Sequence, residues 1–259
     1  SRRTLMATIA LTGGASGIGA TLSEQLRRDN HTIINVDIRD ADVIADLATN
    51  EGRNTALAEI AARAPDGLDG FVPLAGLGAA TGHPATLITA LNYFGAVSLV
   101  EGLRPLLAKK SGSVVLLCSN SAPMSSREDP LLAPLLEGDE TAALKVAEQE
   151  TGMEYMAGKR ALAYWMRKNS FDYARDGIRI NAVAPGPIQT PMVEALFEKP
   201  GMKDAVDTLL RMTPIERMGQ PHEVANAIRF LLSGDASYIC GTVLYIDGGY
   251  DAATRPESL

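Results

Sequence analysis

The sequence predicts a single α/β domain over residues 1–259, built on a parallel sheet of about seven strands with helices on both faces. Two observations support this prediction. Short apolar runs rich in β-branched residues alternate with longer helical patterns, which is typical of βαβ units in a parallel sheet. The chain has 259 residues, of which 46% are hydrophobic, so it can bury one large core.

The order of these runs defines the predicted elements. The strands are Thr8 to Leu11, Thr32 to Val36, Val43 to Leu47, Gly70 to Leu74, Val114 to Cys118, Ile178 to Val183 and Val243 to Ile246. The helical patterns lie near residues 18–29, 51–64, 85–109, 153–175 and 221–233. Pro221 stands at the start of the last helix, where its missing N–H leaves no hydrogen bond unmade.

Residues 122–152 break the alternation, because they separate strand 5 from the next helix by far more than the usual loop of about 2–6 residues. Within them, four leucines fall at helical spacing: Leu131, Leu132, Leu135 and Leu136. Gly138 is a predicted helix stop, and Asp139 with Glu140 is typical of an acidic helix start. We therefore expect a helical insertion after strand 5. It either pads the surface or a subunit contact, or walls an apolar substrate pocket.

The first strand runs into a glycine turn, and a helical pattern follows at once. The turn reads Thr12-Gly13-Gly14-Ala15-Ser16-Gly17-Ile18-Gly19. A Cβ at Gly13, Gly17 or Gly19 would obstruct the tight turn, the approach of a dinucleotide or the packing of helix on strand. Ser16 and Ile18 lie between these glycines and belong to the same candidate pyrophosphate site, which the unpaired N–H groups of the helix favour. The spacing is wider than GxGxxG, so an ordinary glycine-rich turn is the alternative.

Asp37 ends the second strand, about 20 residues beyond the glycine turn, where a carboxylate can accept hydrogen bonds from the adenosine ribose hydroxyls. Because a carboxylate there would repel a 2′-phosphate, Asp37 favours NAD over NADP, although Arg39 could soften that exclusion. The alternative is a solvated aspartate at a strand end. Asp46 and Leu47, at the end of the third strand, are candidate contacts of the adenine ring.

Two Tyr-x-x-x-Lys pairs in the fourth predicted helix are candidate acid/base groups. Tyr155 with Lys159, and Tyr164 with Lys168, each place a phenol and an ammonium on one helix face. The step from one pair to the other rotates by about 900°, so the pairs point to opposite sides and only one can face a cofactor. Tyr155 lies towards the edge where strand 5 ends, and ligands of open α/β sheets bind there. We therefore choose Tyr155 and Lys159, and interpret Tyr164 and Trp165 as packing.

A phenol is a poor base at neutral pH, because its reference pKa is about 10. Lys159 and the positive ring of bound NAD⁺ would lower the pKa of Tyr155. Ser119, at the end of strand 5, could donate a hydrogen bond to the substrate oxygen and hold it beside the phenol. Ser121 competes for that role, and a serine at a strand end often has only a structural one.

Composition excludes several classes of partner. The net charge of −7, without a long basic cluster, argues against nucleic acid. Cys118 and Cys240 lie in apolar runs with no other thiol or histidine at metal-ligand spacing. We expect both to be buried free thiols, with no metal and a reducing compartment. No run of about 18 apolar residues occurs, so we expect no membrane and a cytoplasmic protein.

These features resemble the short-chain dehydrogenase/reductase family over nearly the whole chain. The resemblance rests on the glycine turn, on the Tyr155-x-x-x-Lys159 pair and on the segment from Asn181 to Thr190. It implies a Rossmann-type doubly wound sheet, and a tetrad in which Asn92 and Ser119 join that pair. Asn92 would support a water-mediated proton relay through Lys159. It further implies cofactor contacts from the tetrad pair and from these residues: Ala75, Gly76, Pro185, Gly186, Ile188 and Thr190.

Two departures from the general family pattern point to one group within the family. Pro73-Leu74-Ala75-Gly76 replaces the usual Asn-Asn-Ala-Gly, and Tyr155 follows Ser119 by 36 residues, more than twice the usual interval. Bacterial 3α-hydroxysteroid dehydrogenase/carbonyl reductases carry a similar insertion and are similar in several segments: Val36 to Ala41, Val43 to Leu47, Ala75 to Gly78, Asn92 to Gly95 and Ile246 to Ala252.

The expected function is therefore NAD(H)-dependent interconversion of a secondary alcohol and a ketone. The insertion and a Met-rich lid over residues 191–212 would suit a bulky apolar substrate, such as a hydroxysteroid. Core packing explains the lid residues equally well. A reductase of a different small ketone, or a noncatalytic dinucleotide sensor, is the alternative function. By resemblance we expect a homodimer or homotetramer.

Overall fold

The computed structural model describes residues 6–79, 81–197 and 200–258. Within these residues, seven strands form one parallel sheet in the order β3-β2-β1-β4-β5-β6-β7. The strands are β1 Thr8–Thr12, β2 Thr32–Asp37, β3 Val43–Ile44, β4 Gly70–Pro73, β5 Ser113–Leu117, β6 Arg179–Pro185 and β7 Val243–Ile246. This order reverses direction between β1 and β4, which is where doubly wound sheets open a crevice for ligands.

The helices alternate with these strands, as the sequence predicts. They are α1 Gly17–Arg28, α2 Asn50–Arg63, α3 Ala85–Thr89, α4 Gly95–Ala108, α5 Leu132–Glu137, α6 Glu140–Ala147, α7 Glu154–Arg175, α8 Pro191–Leu196, α9 Met202–Arg211, α10 Pro221–Leu232 and α11 Tyr250–Thr254. Pro221 lies in the first turn of α10, where the side chains of Gln220 and Glu223 complete a capping box.

The core has a layer on each face of the sheet. Successive side chains of β1 alternate between them, because neighbouring residues of a strand point to opposite faces. Ile9 and Leu11 pack with the buried side of α1 and α10, whereas Ala10 packs with residues of α2, α4 and α7. Both faces of the sheet are therefore buried, and functional groups emerge only at the ends of its strands.

The third strand is shorter than predicted. The sequence suggests Val43 to Leu47, but the strand ends at Ile44, because the chain then turns into α2. The Asp46 carboxylate accepts a hydrogen bond from the N–H of Ala48, and the hydroxyl of Thr49 caps the helix. Local hydrogen bonds of this kind compete with strand pairing at the edge of a sheet.

The predicted helix 85–109 is interrupted. Residues Ala90–Phe94 form a π-helical turn between α3 and α4. One helix turn thus holds an extra residue, a feature that often occurs at functional sites. Asn92 lies in this turn.

Helix α3, the π-helical turn and α4 together form the segment Ala85–Ala108. By length and composition alone, this segment is long and apolar enough to cross a membrane. Of its most apolar window, 67% is buried inside the fold. Core helices of soluble proteins pass the same test, so this is weak evidence for a membrane span.

The insertion at 122–152 is helical. A short 3₁₀ turn, Ala122–Met124, precedes α5 and α6. Gly138 ends α5 with a left-handed φ of 74°, and the carboxylate of Asp139 caps α6 by accepting from the N–H of Ala142. Helix α5 packs against α7, and α6 packs against α3.

The two cysteines differ in burial. Cys118 is a buried free thiol, as predicted, whereas the prediction for Cys240 is wrong because its side chain is exposed. Cys240 precedes β7, the edge strand of the sheet, in a loop that contacts α7 at Ser170 and still leaves the thiol exposed. An apolar run near a sheet edge does not ensure burial.

Candidate active site

The glycine turn after β1 forms a cradle that excludes side chains. Gly13 has a left-handed φ of 75°, and a Cβ there would lie 2.7 Å from the backbone nitrogen of Ala75. A Cβ on Gly19 would lie 2.1 Å from the carbonyl oxygen of Gly13. Only glycine fits these two positions, because the obstructing atoms belong to backbone that cannot move aside.

Two polar side chains that the sequence analysis missed hold this turn in place. Asn35 Oδ1 accepts a hydrogen bond of 3.0 Å from the N–H of Gly14, and Thr12 Oγ1 accepts one of 3.0 Å from the N–H of Ala75. Both residues are buried. A polar residue inside an apolar strand next to a glycine turn is the signal that could have found them, since a buried amide or hydroxyl needs a partner.

Helix α1 begins at Gly17 and points its N-terminus into the space beside the turn. Its first turn holds no acidic residue, and the side chain of Ser16 does not cap it. The unpaired N–H groups and the positive end of the helix dipole therefore face the opening, which suits an anion such as a phosphate.

Asp37 closes the far side of the cradle at the end of β2. Its Oδ2 accepts a hydrogen bond of 3.0 Å from the N–H of Ala15, and its Oδ1 accepts one of 2.7 Å from the N–H of Ile38. These bonds orient the carboxylate towards the glycine turn. Arg39 and Asp37 line one cavity, which is described next.

A cleft of about 400 Å³ runs from this cradle across the carboxyl ends of the strands. Most of the site residues predicted from sequence line it: Gly13, Ser16, Gly17, Ile18, Gly19, Asp37, Leu47, Ala75, Gly76, Ser119, Tyr155, Lys159, Pro185, Gly186, Ile188 and Thr190. A narrow cleft that joins an anion site to a cluster of titratable groups matches the shape of a dinucleotide.

Asp46 and Asn92 are predicted site residues that do not line the cleft. Asp46 is exposed, and its carboxylate is engaged with the N–H of Ala48. The predicted adenine contact of Asp46 therefore stays a prediction without support from this geometry. Leu47, its neighbour, does reach the cleft wall.

Asn92 lies behind the cleft wall and is 5% exposed. Its amide pairs with the backbone of Leu77 through two hydrogen bonds, each of 2.8 Å, one donated by Asn92 and one accepted by it. A Cβ on Gly76 would lie 3.0 Å from Asn92 Oδ1. The π-helical turn thus fixes the strand-end segment at 76–77, and the predicted role of Asn92 in a proton relay stays a prediction.

Tyr155, Lys159 and Ser119 meet at the other end of the cleft. Tyr155 and Lys159 lie one turn apart on α7, with Lys159 Nζ 5.7 Å from the centre of the Tyr155 ring. The ammonium donates a hydrogen bond of 2.7 Å to the carbonyl oxygen of Leu117, the last residue of β5. Ser119 follows that strand end and lines the same cleft as Tyr155, and its hydroxyl is close enough to the phenol to lower the phenol's pKa.

Ser121 supports Ser119 and does not line the cleft. The two hydroxyl oxygens are 2.9 Å apart, and the N–H of Ser121 also donates to Ser119 Oγ at 3.2 Å. Of the two serines that the sequence offered, the structure therefore puts Ser119 beside the phenol and Ser121 behind it.

Burial shifts the pKa values of the groups in this cluster. Desolvation raises the pKa of Tyr155, and the neighbouring Ser119 hydroxyl offsets this in part. Desolvation also lowers the pKa of Lys159 to about 8. Among the protein groups, burial outweighs the favourable contacts of the phenol. The predicted lowering of its pKa by Lys159 together with bound NAD⁺ stays a prediction.

The second Tyr-x-x-x-Lys pair lies away from the cleft. Lys168 is exposed, and Tyr164 packs at the margin of the core that encloses Trp165. These positions agree with the prediction that the two pairs point to opposite sides of the helix.

The loop after β6 forms part of the cleft wall. Gly186 packs tightly, since a Cβ there would lie 3.0 Å from Asp247. Ile188 pairs with Gly219 in an isolated parallel bridge, and Thr190 caps α8 by accepting from the N–H of Val193. These contacts fix the loop where the resemblance places the nicotinamide.

The predicted lid over 191–212 contains α8 and α9. Pro191 and Val193 line the cleft, so α8 borders it directly. Residues 198–199 of the predicted lid lie outside the described residues. Closure of this segment over a substrate stays a prediction.

Comparisons with known proteins give consistent relatives. A family model described as enoyl-(acyl carrier protein) reductase matches residues 139–251. A 3-alpha-hydroxysteroid dehydrogenase/carbonyl reductase of Comamonas testosteroni is 37% identical, over 97% of this chain and 99% of that protein. A galactitol 2-dehydrogenase (L-tagatose-forming) of Cereibacter sphaeroides is 29% identical, over 94% of each chain.

Among the solved structures that resemble this fold, one matches nearly the whole chain at 40% identity. The crystal structure of the 3-alpha-hydroxysteroid dehydrogenase from Pseudomonas sp. B-0831, complexed with NADH, has a TM-score of 0.93 and 40% identity. The match covers 98% of this chain and 100% of that chain. The chain therefore belongs to the short-chain dehydrogenase/reductase family, and the predicted family and fold class are confirmed.

Proposed function

We propose that this protein is an NAD(H)-dependent oxidoreductase that interconverts a secondary alcohol and a ketone. The observation that carries the proposal is the single cleft that has the glycine cradle and Asp37 at one end and Tyr155, Lys159 and Ser119 at the other. A dinucleotide that spans this cleft would bring its reactive ring to the titratable cluster.

The residues present fit the cofactor. The cradle that a Cβ at Gly13 or Gly19 would fill can admit a pyrophosphate, and α1 offers its N–H groups to the phosphates. Asp37 would accept hydrogen bonds from the adenosine ribose and disfavour a 2′-phosphate. Bound NAD⁺ supplies the hydride acceptor, and NADH supplies the donor in the reverse direction. The related Pseudomonas dehydrogenase was crystallised with NADH, which supports this assignment.

The residues of the chain handle the proton and the substrate oxygen. Tyr155 takes the proton of the alcohol during oxidation and returns it to the carbonyl oxygen during reduction. Ser119 donates a hydrogen bond to the same oxygen and orients it. Lys159 adds positive charge beside the phenol, which favours the phenolate, and holds the cofactor ribose.

The proposed substrate is a bulky apolar alcohol or ketone, such as a 3-hydroxysteroid or 3-ketosteroid. The two relatives named for 3-alpha-hydroxysteroids support this class. The cleft wall near α8 is apolar, with Leu77, Pro191 and Val193. A different small ketone is the alternative. Cytoplasmic localisation, with assembly as a homodimer or homotetramer, belongs to the same proposal.

The variant Tyr155→Phe tests the proposal. We expect it to lower the rate of alcohol oxidation by at least about 10²-fold, as for loss of a general base, because the ring remains and only the hydroxyl is lost. The rate is followed as nicotinamide absorbance with a panel of hydroxysteroids and small secondary alcohols. NADH affinity, measured by its fluorescence, should weaken by no more than about tenfold, since the loss of one hydrogen bond costs about 0.5–1.5 kcal/mol.

Tyr238→Phe is the matched control, because Tyr238 is fully exposed and outside the cleft. It should behave as wild type. Unchanged turnover in Tyr155→Phe would refute the role of the phenol. A wild-type protein that binds NADH but oxidises no member of the panel would point to the dinucleotide sensor instead.

A further inference from the structure

Arg160 follows Lys159 on α7 and hydrogen-bonds the loop after β5, residues 119–125. We call this set of bonds the clasp. Its guanidinium donates four hydrogen bonds. Nε reaches Ser125 Oγ at 2.9 Å, and Nη2 reaches the carbonyl oxygens of Ser125 at 2.6 Å and Pro123 at 3.0 Å. Nη1 reaches the hydroxyl of Tyr164 at 2.7 Å. Four of the five N–H donors of a guanidinium are therefore used on protein partners.

The clasped loop carries the serine that faces the phenol. Ser119 and Ser121 share a hydrogen bond, and the 3₁₀ turn Ala122–Met124 links Ser121 to Ser125. Ser125 is 3% exposed, so its bonds to Arg160 are shielded from water. The position of the Ser119 hydroxyl thus depends on a short segment whose far end is held by Arg160.

Tyr164 orients the guanidinium. Its hydroxyl accepts from Arg160, and its ring centre lies 5.6 Å from the guanidinium carbon. A ring face at this distance attracts a cation. This gives a role to the second tyrosine of α7, which the sequence analysis interpreted as packing.

The insertion explains why such a clasp is needed. In this chain Tyr155 follows Ser119 by 36 positions, so the backbone link between them is long and restricts their relative position weakly. Arg160 replaces that weak link by direct bonds between α7 and the first residues of the insertion. Arginine suits the task because its planar fork can donate in several directions, whereas the lysine ammonium is a single point.

We propose that Arg160, held by Tyr164, is a positioning residue that fixes the loop from Ser119 to Ser125 against α7 and so aligns Ser119 with Tyr155. This inference rests on the proposed function, because alignment of Ser119 matters only if that hydroxyl orients the reacting oxygen. The competing role for Arg160 is purely structural, as an anchor of the insertion.

The test compares Arg160→Met and Arg160→Lys with Arg167→Met. Arg167 lies on the same helix, is exposed, and donates only one described hydrogen bond, of 3.3 Å, to Gly241. Measured quantities are kcat and KM for alcohol oxidation, the Kd of NADH, and hydrogen exchange of peptides over 119–125 and over α1.

We expect Arg160→Met to lower kcat by roughly 10- to 100-fold, because a small misplacement of an orienting group is costly. Arg160→Lys should lose a similar factor, since it keeps the charge but not the fork. Exchange should accelerate over 119–125 but not over α1, and the Kd of NADH should change by less than about twofold. Arg167→Met should match wild type.

The pH profile separates alignment from anchoring. The Ser119 hydroxyl lowers the pKa of Tyr155, so displacing it should raise the apparent pKa in the profile of kcat/KM for oxidation. The other titratable groups that face the phenol are Lys159 on α7 and Cys118 at the end of β5, and neither is altered by the substitution. A purely structural anchor would leave this apparent pKa unchanged.

Three results would overturn the proposal. They are wild-type kcat in Arg160→Met, unchanged exchange over 119–125, or an unchanged apparent pKa in the profile. If Arg160→Met does not fold, Tyr164→Phe and Ser125→Ala each remove one bond of the clasp and must show the same effects in smaller measure. If wild type oxidises no alcohol, the proposed function fails, and the exchange data alone decide whether Arg160 holds the loop.

Discussion

Two neighbouring side chains show how burial sets protonation at the residue scale. Lys159 is 5% exposed, and desolvation lowers its pKa to about 8. The same desolvation raises the pKa of Tyr155. Burial disfavours the charged form of each group. It therefore shifts both Lys159 and Tyr155 towards their neutral forms. The protein thus pays a folding cost to hold a lysine where it can act on the phenol.

This cost predicts a dependence of stability on pH. The pKa of Lys159 in the folded protein, about 8, is below that in the unfolded chain, so the unfolded state binds more protons above pH 8. The contribution of Lys159 to the free energy of unfolding should therefore rise by about 1 kcal/mol between pH 7 and pH 9. It is measured as the difference between wild type and Lys159→Met in urea unfolding at each pH.

Burial raises the pKa of Cys118 to about 12 and that of Tyr155 above its usual value, so between pH 7 and pH 9 the difference in the folded state reports Lys159. Lys168→Met is the control, because Lys168 is exposed on the same helix. Its difference from wild type should stay flat over this range. A flat difference for Lys159→Met as well would contradict the assignment of a buried ammonium with a lowered pKa.

At the scale of elements, one ion pair docks the insertion onto the body of the fold. The guanidinium of Arg53, on α2, lies 2.7 Å from the carboxylate of Glu140 in the first turn of α6. The side chain of Arg53 is 4% exposed and that of Glu140 is 25% exposed. A buried arginine that loses its partner is costly, because its charge cannot return to water without opening the interface.

Glu140→Gln should therefore destabilise the protein, by about 2 kcal/mol. This is less than the typical cost for a fully buried pair, because Glu140 is partly solvated. The double variant Arg53→Met with Glu140→Gln should recover part of the loss, since no unpaired charge then remains. The free energy of unfolding in urea measures both effects, and proteolysis within 138–152 reports local release of the insertion.

Glu137→Gln is the control, because Glu137 is exposed at the end of α5. It should change the free energy of unfolding by less than about 0.5 kcal/mol, as surface substitutions usually do. An equal loss in Glu137→Gln and Glu140→Gln would mean that the ion pair does not dock the insertion.

At the scale of the whole molecule, the strand order creates the cleft. The carboxyl ends of parallel strands meet at one edge, and the reversal between β1 and β4 separates the connections that leave them. The glycine turn after β1, Asp37 after β2 and Ser119 after β5 are thereby gathered along one edge. A ligand that touches all three should stabilise the complete fold, because its binding is coupled to global unfolding.

Thermal unfolding with each nicotinamide cofactor tests this coupling and the role of Asp37. NADH at about 100 times its Kd should add about 2.7 kcal/mol to the stability and raise Tm by roughly 5–10 °C. NADPH at the same concentration should raise Tm less in wild type, because Asp37 repels its 2′-phosphate. In Asp37→Ala the two cofactors should give similar shifts. A wild-type preference for NADPH would contradict the assignment of NAD.

The parts of the site that were predictable share a local cause. Gly13 and Gly19 are needed because backbone atoms crowd their Cα atoms, and the spacing of Tyr155 and Lys159 follows from the helical repeat. The stop of α5 at Gly138 and the cap at Asp139 are local as well. Such features depend on a few consecutive residues, so they can be read before the fold is known.

The parts that were not predictable depend on partners far along the chain. Asn35 and Thr12 support the glycine cradle through bonds to Gly14 and to Ala75. The early end of β3 and the exposure of Cys240 follow from their places at opposite edges of the sheet. No local pattern tells a sheet edge from its centre when both are apolar.

The sequence by itself determined the alternation of strands and helices, the glycine cradle, the presence of an insertion and the candidate acid/base pair on α7. Only the tertiary structure decided which side chains pair. Ser119, and not Ser121, lies beside the phenol, Asn92 hydrogen-bonds the backbone of Leu77, and Tyr164 accepts a hydrogen bond from Arg160. The physical reason is that periodicity and turn chemistry act over a few residues. Hydrogen bonds between side chains are instead chosen by which segments the sheet brings together.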